Sequence, residues 1–385
     1  MKILLVHRES KIDTAGGAAK VFFLMANELA KRHHEVSALA LTKTQGKTFY
    51  TMSPQVHFIN LNYSSETHKS LHQKFCRAFH FGKTARHRYD QQVQDPLWAA
   101  KIKPVIEKVQ PDVIIAYTLD LARILLLSVK VACPLVIMFH RSADYIMTNL
   151  TPENKEALEQ ASCVQVLMPA DIDRVKAKVH CRRLIRIPNA VRSLGMRSLL
   201  ENKQIIHVGR FDRRQKRQHL LIEAFHQLQP EFADWKVDFW GEGDVNQDPY
   251  AKYCHDLVLK YGMDKQITFC GTGSQIPAKM KDASIFAFPS SNEGMSLALA
   301  EAMEVGLPVV AYKNCNSVNE MIQDGSNGFL CDDGVEPFAE ALRQLMSDKE
   351  LRRKFGAKAH ESVRPYRPET VWNQWESLLH EITGK

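Results

Sequence analysis

At 385 residues the chain is longer than one ordinary core serves and suits two domains of roughly 150 to 200 residues each. With 45% hydrophobic and 24% charged residues and no long low-complexity tract, it is not a mainly disordered or fibrous protein. Its net charge of +8 favours an anionic partner (nucleotide, phospholipid surface or nucleic acid) without choosing among them.

The opening MKILLVHRES has too short an apolar core for a signal peptide and reads as a buried first strand. No run approaches the ~18 apolar residues of a membrane span. The eight cysteines form no CxxC pair and have no histidines at metal spacing, so neither a zinc site nor a disulfide framework is signalled and a reducing cytoplasm fits.

In chain order, KILLV is followed by AAKVFFLMANELAKRHH, EVSALAL, PDVIIAY, PLVIMF and CVQVLM. Continuous aliphatic runs separated by helical patterns predict a parallel sheet covered on both faces, a doubly wound α/β domain. Between these runs, residues 68–89 hold six Lys or Arg, four His and no acid, interleaved with Phe75, Phe79, Phe81 and Tyr89. Such a segment can lie on an anionic membrane surface, bind nucleic acid or be an ordinary solvated helix pair.

The alternation restarts with QIIHVG, QHLLIEAFHQLQ, KVDFWG, AKYCHDLVLKYG, QITFCG, SIFAFPS and LPVVAY. We therefore expect domains at 1–190 and 200–367, joined through the polar stretch near 190–203. A C-terminal helix of about 368–385, started by Pro368 and Glu369, is expected to pack back onto the first domain through residues such as Trp372 and Trp375.

Ligands of open α/β sheets bind beyond the carboxyl ends of the strands, so the chemistry is sought there. FAFPSSNEGMSLALAEAM is such a junction: a strand, a loop, and a helix starting near Ser296 whose free N–H groups and dipole suit a diphosphate. Glu301, in the second turn, sits in a helix apolar nearly all round, where a buried carboxylate needs donors such as ribose hydroxyls. Glu293 precedes the first turn and would then point at whatever lies beyond the phosphates. Both glutamates could equally be solvated or paired with lysines.

HVGRFDRRQKRQHLLIEAF sets Arg210 and Lys216 about another such loop, with Arg213, Arg214 and Arg217 adding charge; this suits phosphate or an ordinary solvated face. DTAGGAAK places Gly16 and Gly17 before the first helix, where backbone can approach a ligand, but lacks the spacing of a dinucleotide or P-loop motif. His140 ends a strand and can reach substrate or serve structure.

Together these residues resemble the retaining glycosyltransferases of family 4. The resemblance covers nearly the whole chain and is carried by the E-x7-E pair Glu293 and Glu301, GRFDRRQK, AGG, IPNAV, GEG at 241–243 and VNEMIQDGSNGFL. It implies the GT-B architecture, two facing Rossmann-like domains with an interdomain cleft. It further implies that Arg210 and Lys216 hold the donor diphosphate, that the amides of Met295, Ser296 and Leu297 beside Gly294 grip phosphate and sugar, and that Glu301 binds ribose. Glu293 would contact the donor sugar, Cys270 and Gly271 border the base, Gly16 and Gly17 approach the diphosphate, and His140 meet the transferred sugar. Ser296 stands where many relatives have a second glycine, and KRQ where KG is common.

The implied chemistry is metal-independent transfer with retention, by front-face attack in which the departing phosphate accepts the acceptor's proton. Fixed cations would stabilise the leaving group, no cofactor is expected, and no covalent nucleophile is evident. The donor is expected to be a nucleotide-diphosphate sugar, UDP-linked, with a hexosyl or N-acetylhexosaminyl group. The acceptor would be a glycan or lipid-linked molecule in bacterial surface polysaccharide, lipopolysaccharide or glycoconjugate synthesis. The enzyme would be cytoplasmic, peripheral on the inner membrane face through residues 68–89, with no nucleic acid. The alternatives are a catalytically inactive partner subunit and a nucleotide-sugar epimerase.

Overall fold

The computed structural model describes all residues except 9–15, 42–47, 62–70, 81 and 274, and all side chains of the rest except those of 71–74, 83, 84 and 87. The chain divides into two units, Met1–Ile187 with Asn373–Lys385, and Pro188–Trp372.

The first unit carries a parallel sheet of β1 (Lys2–His7), β2 (Glu35–Ala40), β3 (His57–Asn60), β4 (Val113–Ala116), β5 (Leu135–Met138), β6 (Cys163–Val166) and β7 (Leu184–Arg186). Their order is β3-β2-β1-β4-β5-β6-β7, so the winding direction reverses between β1 and β4. Val113–Ala116, Leu135–Met138 and Cys163–Val166 are buried at every position, because helices cover both faces and leave no solvated side for alternation to mark. The first crossover helix, Gly17–Lys31, buries Phe22, Met25, Ala26 and Leu29.

The second unit repeats the plan with β8 (Gln204–Val208), β9 (Lys236–Trp240), β10 (Ile267–Gly271), β11 (Ile285–Phe288), β12 (Val309–Tyr312) and β13 (Gly328–Cys331). The order β10-β9-β8-β11-β12-β13 reverses between β8 and β11. Helices Gln218–Leu228, Pro249–Lys260 and Val335–Ser347 supply Phe225, Cys254 and Phe338 to a core closed by Val237 and Phe239.

The last helix, Pro368–Thr383, contains the second division, between Trp372 and Asn373. Its later residues are fastened to the first unit by polar contacts: Asn373 accepts from Arg32 at 3.0 Å, His34 and Glu376 lie 2.8 Å apart, and Arg183 donates to Glu381 at 2.6 Å. No helix among the described residues is long and apolar enough to cross a membrane.

Candidate functional site

In the second unit the loops after β8 and β11 flank the point where the sheet changes direction, the place where neighbouring loops diverge and leave room for a ligand. The β8 loop is folded by Asp212, whose carboxylate accepts from the amides of Arg214 at 3.0 Å and Gln215 at 2.8 Å. Arg210 donates to the same carboxylate at 3.1 Å and to Gln215 Oε1 at 2.8 Å, so its exposed guanidinium is held in place. Burial works to raise the Asp212 pKa, but the Gln215 amide, Arg210 and the Arg214 amide outweigh it and keep the carboxyl below its ordinary value. The two loops are joined by Ser291 N–H to Gln215 C=O at 2.9 Å and by Gln215 Nε2 to Asn292 C=O at 2.9 Å.

Lys216 and Glu293, 77 positions apart, meet across this junction. Nζ donates to Oε1 at 2.6 Å, with the side chains 12% and 8% exposed. Lys216 also lies 5.1 Å from the Phe288 ring centroid. The sequence-based roles gave Lys216 to phosphate and Glu293 to sugar; here the two side chains neutralise each other, the lysine pairing that the sequence left open for Glu293. Arg217 is occupied differently from the free charge its sequence context suggests. It donates to Pro289 C=O at 3.0 Å, pairs with Asp333 and stacks on Tyr312, which makes it a brace of the fold. Arg213 lies 4.8 Å from the Tyr253 ring centroid.

Ser296 caps the helix Leu297–Glu304, its hydroxyl accepting from Leu299 N–H at 3.3 Å. Among the described residues nothing accepts from the amides of Met295 and Leu297, the donors an N-terminus leaves for a ligand. Gly294 lies half-buried in the preceding loop. Glu301, one turn into the helix, is 8% exposed. Cys270 and Gly271 end β10, where Gly271 C=O accepts from Gly241 N–H at 2.9 Å and a positive φ of 68° suits glycine. Burial pushes the Cys270 thiol up to about 11, so it carries no thiolate at neutral pH.

Beneath the β8 loop lies a network that sequence reading missed. His207 Nδ1 is 2.9 Å from Ala287 C=O, which can only accept, so Nδ1 bears the proton and Nε2 accepts from Gln218 Nε2 at 3.3 Å. Gln218 also donates to Arg210 C=O at 2.9 Å. Burial, then the charge of Lys216, lowers the His207 pKa to about 4 despite the bond to Ala287, leaving it neutral. Asp212 was legible as a turn former immediately before the charged run that starts at Arg213; His207 and Gln218 were not, since nothing local pairs them.

In the first unit, Gly16 and Gly17 open the helix Gly17–Lys31 with no side-chain cap. A Cβ on Gly17 would meet nothing within 4 Å, so packing does not demand glycine there. His140 follows β5 and stacks on Tyr117, ring centroids 4.9 Å apart. Burial, with His7 nearby, lowers its pKa to about 3, so it offers a neutral hydrogen-bonding ring. Of the basic segment, 68–70 and 81 lie outside the described residues. Arg77 and Arg88 are paired with Asp90 and Glu153, which reduces the free charge its composition suggests, while Phe75 and Phe79 are 64% and 62% exposed. Among the described residues no three His, Cys, Asp or Glu side chains gather as a metal-ligand set.

Two doubly wound parallel sheets, with anion-suited loops at a switch point, define an α/β protein of the GT-B class. Residues 197–362, most of the second unit, match the family model described as Glycosyl transferases group 1, and the fold of the chain is GT-B. It is 31% identical over 206 residues to an exopolysaccharide phosphotransferase of Streptomyces coelicolor, covering 53% of this chain and 21% of that protein. An uncharacterized glycosyltransferase of Haemophilus influenzae is 23% identical across 96% of this chain and 97% of its own. The solved structure of Anabaena HepE with UDP and glucose superimposes with a TM-score of 0.77 at 21% identity, over 98% of this chain and 99% of that one, a likeness of fold.

Proposed function

We propose that the protein is a retaining, metal-independent glycosyltransferase that moves a hexosyl or N-acetylhexosaminyl group from a UDP-linked donor to a glycan or lipid-linked acceptor. The product would be a bacterial surface polysaccharide, lipopolysaccharide or other glycoconjugate. The observation that carries this reading is the pairing of two loops at the β8/β11 switch point, which sets Arg210, Lys216, Glu293 and the open amides of Met295 and Leu297 within one bonded unit. The names of the Streptomyces relative and the Anabaena complex agree with a polysaccharide product and a UDP donor.

In this reading Arg210 and Lys216 hold the diphosphate and offset the charge that develops as the sugar departs, the work a metal performs elsewhere. Met295, Ser296 and Leu297 contribute amides, Glu301 binds ribose, Glu293 the donor sugar, and Cys270 and Gly271 border the base. We assign Gly16 and Gly17 to backbone approach to the donor and His140, neutral, to a hydrogen bond with the transferred sugar. Retention follows from attack on the face that the phosphate leaves, with a phosphate oxygen taking the acceptor's proton. The enzyme would work in the cytoplasm, on the inner membrane face, through the segment bearing Phe75 and Phe79.

The test is thermal stabilisation by UDP-, GDP-, ADP- and CMP-linked sugars in EDTA, comparing the native chain with Glu301→Ala. Binding to the folded state alone raises the melting temperature with affinity. A shift with UDP-sugars, weakened by the substitution, is expected; folded protein that responds to none of the four would sink the donor assignment.

A further inference from the structure

We infer that the buried side chain of Met295 couples occupancy of the donor loop to the chain crossing between the two units, which makes Met295 a positioning residue. The inference rests on the donor reading above and goes beyond it.

Within the loop the side chains have separate tasks. Glu293 pairs with Lys216 and Ser296 caps the following helix, whereas Met295 is turned inward, 6% exposed, and its Sδ accepts from Asn189 N–H at 3.3 Å. Asn189 stands two positions beyond the division at Ile187/Pro188. Two residues later, Val191 N–H donates to Tyr366 C=O at 2.7 Å, and Tyr366 leads into the helix Pro368–Thr383, where the second division falls. The donor loop is thus bonded to the first crossing, and the first crossing to the segment that leads into the second.

The connector has little slack. On the first unit's side Gln165 donates to Ile187 C=O; Pro188 has its φ set by its ring; Asn189 is held by Met295 and Val191 by Tyr366. A shift of Met295 therefore moves Asn189 or breaks its bond. A thioether is a weak acceptor on a flexible side chain, so this contact is one that a small displacement can make or lose. Displacement has a source next door, because the amides of Met295 and Leu297 are those open to a ligand. A ligand gripping them bears on a residue whose other end is seated against the connector, and packed chains of this kind carry coupling between sites.

The experiment is hydrogen–deuterium exchange on the full chain with and without saturating UDP, read at the amides of residues 189–191, for the native protein, Met295→Leu and Met295→Ala. Leucine keeps the volume and removes the acceptor; it carries the test should the alanine variant not fold. Melting temperatures with UDP are taken in parallel. We expect UDP to slow exchange at 189–191 by about tenfold in the native chain, within the usual range of such couplings. The protection should shrink in at least one variant that still shows a melting shift with UDP. Native protein that binds UDP without protection at 189–191, or protection undiminished in every folded variant, overturns the inference while leaving the donor site standing. A native chain that UDP does not stabilise fails one step earlier, at the donor site, and takes the inference with it.

Discussion

The ammonium of Lys216 and the carboxylate of Glu293 are both mostly shut off from water, and each would be costly there alone. Removing one partner of a buried pair leaves an uncompensated charge, at a cost of about 3–5 kcal/mol. Glu293→Gln should therefore lower the melting temperature. In the proposed site UDP brings its own negative charge to Lys216, so the same variant should regain more stability from UDP than the native protein does. Lys216→Ala should also melt early, yet lose UDP binding, since it removes the cation instead of freeing it. Melting curves with a UDP titration check both; an equal UDP increment in Glu293→Gln and native protein would mean that Lys216 does not meet the diphosphate.

At the scale of strands and turns, the glycines separate folding from ligand contact. A Cβ on Gly241 would lie 2.1 Å from Gly209 C=O, and Gly209 N–H bonds to Trp240 C=O, so Gly241 lets the ends of β8 and β9 close upon each other. Gly241→Ala should destabilise the second unit and disturb Arg210. By contrast Gly17→Ala meets open space in a helical position, so its melting temperature should hold while transfer falls about tenfold or more if backbone approach to the donor is its purpose. Unchanged transfer would remove Gly17 from the site.

The buried His207 gives this region a pH dependence with a defined sign. Its folded pKa, about 4, lies below the ordinary 6.5, so the unfolded chain binds the extra proton between those values. Stability is complete above pH 6.5 and is lost as pH falls toward 4, by about 3 kcal/mol for the whole interval. His207→Asn can still donate to Ala287 but cannot titrate, and chemical denaturation from pH 7 to 4 should show a shallower loss. An identical slope would place the pH dependence elsewhere, for example at His219, whose pKa is lowered to about 4 by burial and by Arg213 and Arg217.

These elements also show what a sequence can and cannot disclose. The strands were readable because burial on both faces leaves Val113–Ala116 and its neighbours as unbroken aliphatic runs. The junction before Leu297 was readable because the apolar strand run ends at Pro289 and Ser296 can cap the apolar helical run that follows. The pairings Lys216–Glu293, His207–Gln218 and Asn189–Met295 were not. They depend on β8 lying beside β11, on side chains crossing between loops, and on a connector folded against a site 106 positions away. Periodicity reports which residues are buried, without their partners.

For the whole molecule, the second unit carries the loops assigned to the donor and the first the exposed aromatic pair, so in the proposed reading the acceptor side is best sought through Phe75 and Phe79. Their rings lie 4.9 Å apart edge to face, Phe75 on the helix Leu71–Ala78 and Phe79 just past its end, and both are mostly exposed, so folding does not use them. Arg77 and Arg88 spend charge on Asp90 and Glu153, which shifts the weight of any membrane contact from basic residues toward the aromatic pair. The net charge of +8 adds long-range attraction to an anionic leaflet that salt screens. Phe75→Ser with Phe79→Ser should leave the melting temperature and transfer to a water-soluble acceptor unchanged, while weakening sedimentation with phosphatidylglycerol-containing vesicles even at low salt. Pure phosphatidylcholine vesicles should bind neither form well. If the double substitution leaves binding intact and only salt removes it, the contact is electrostatic and lies elsewhere on the surface; if native protein binds neither vesicle, the acceptor reaches the enzyme without a membrane.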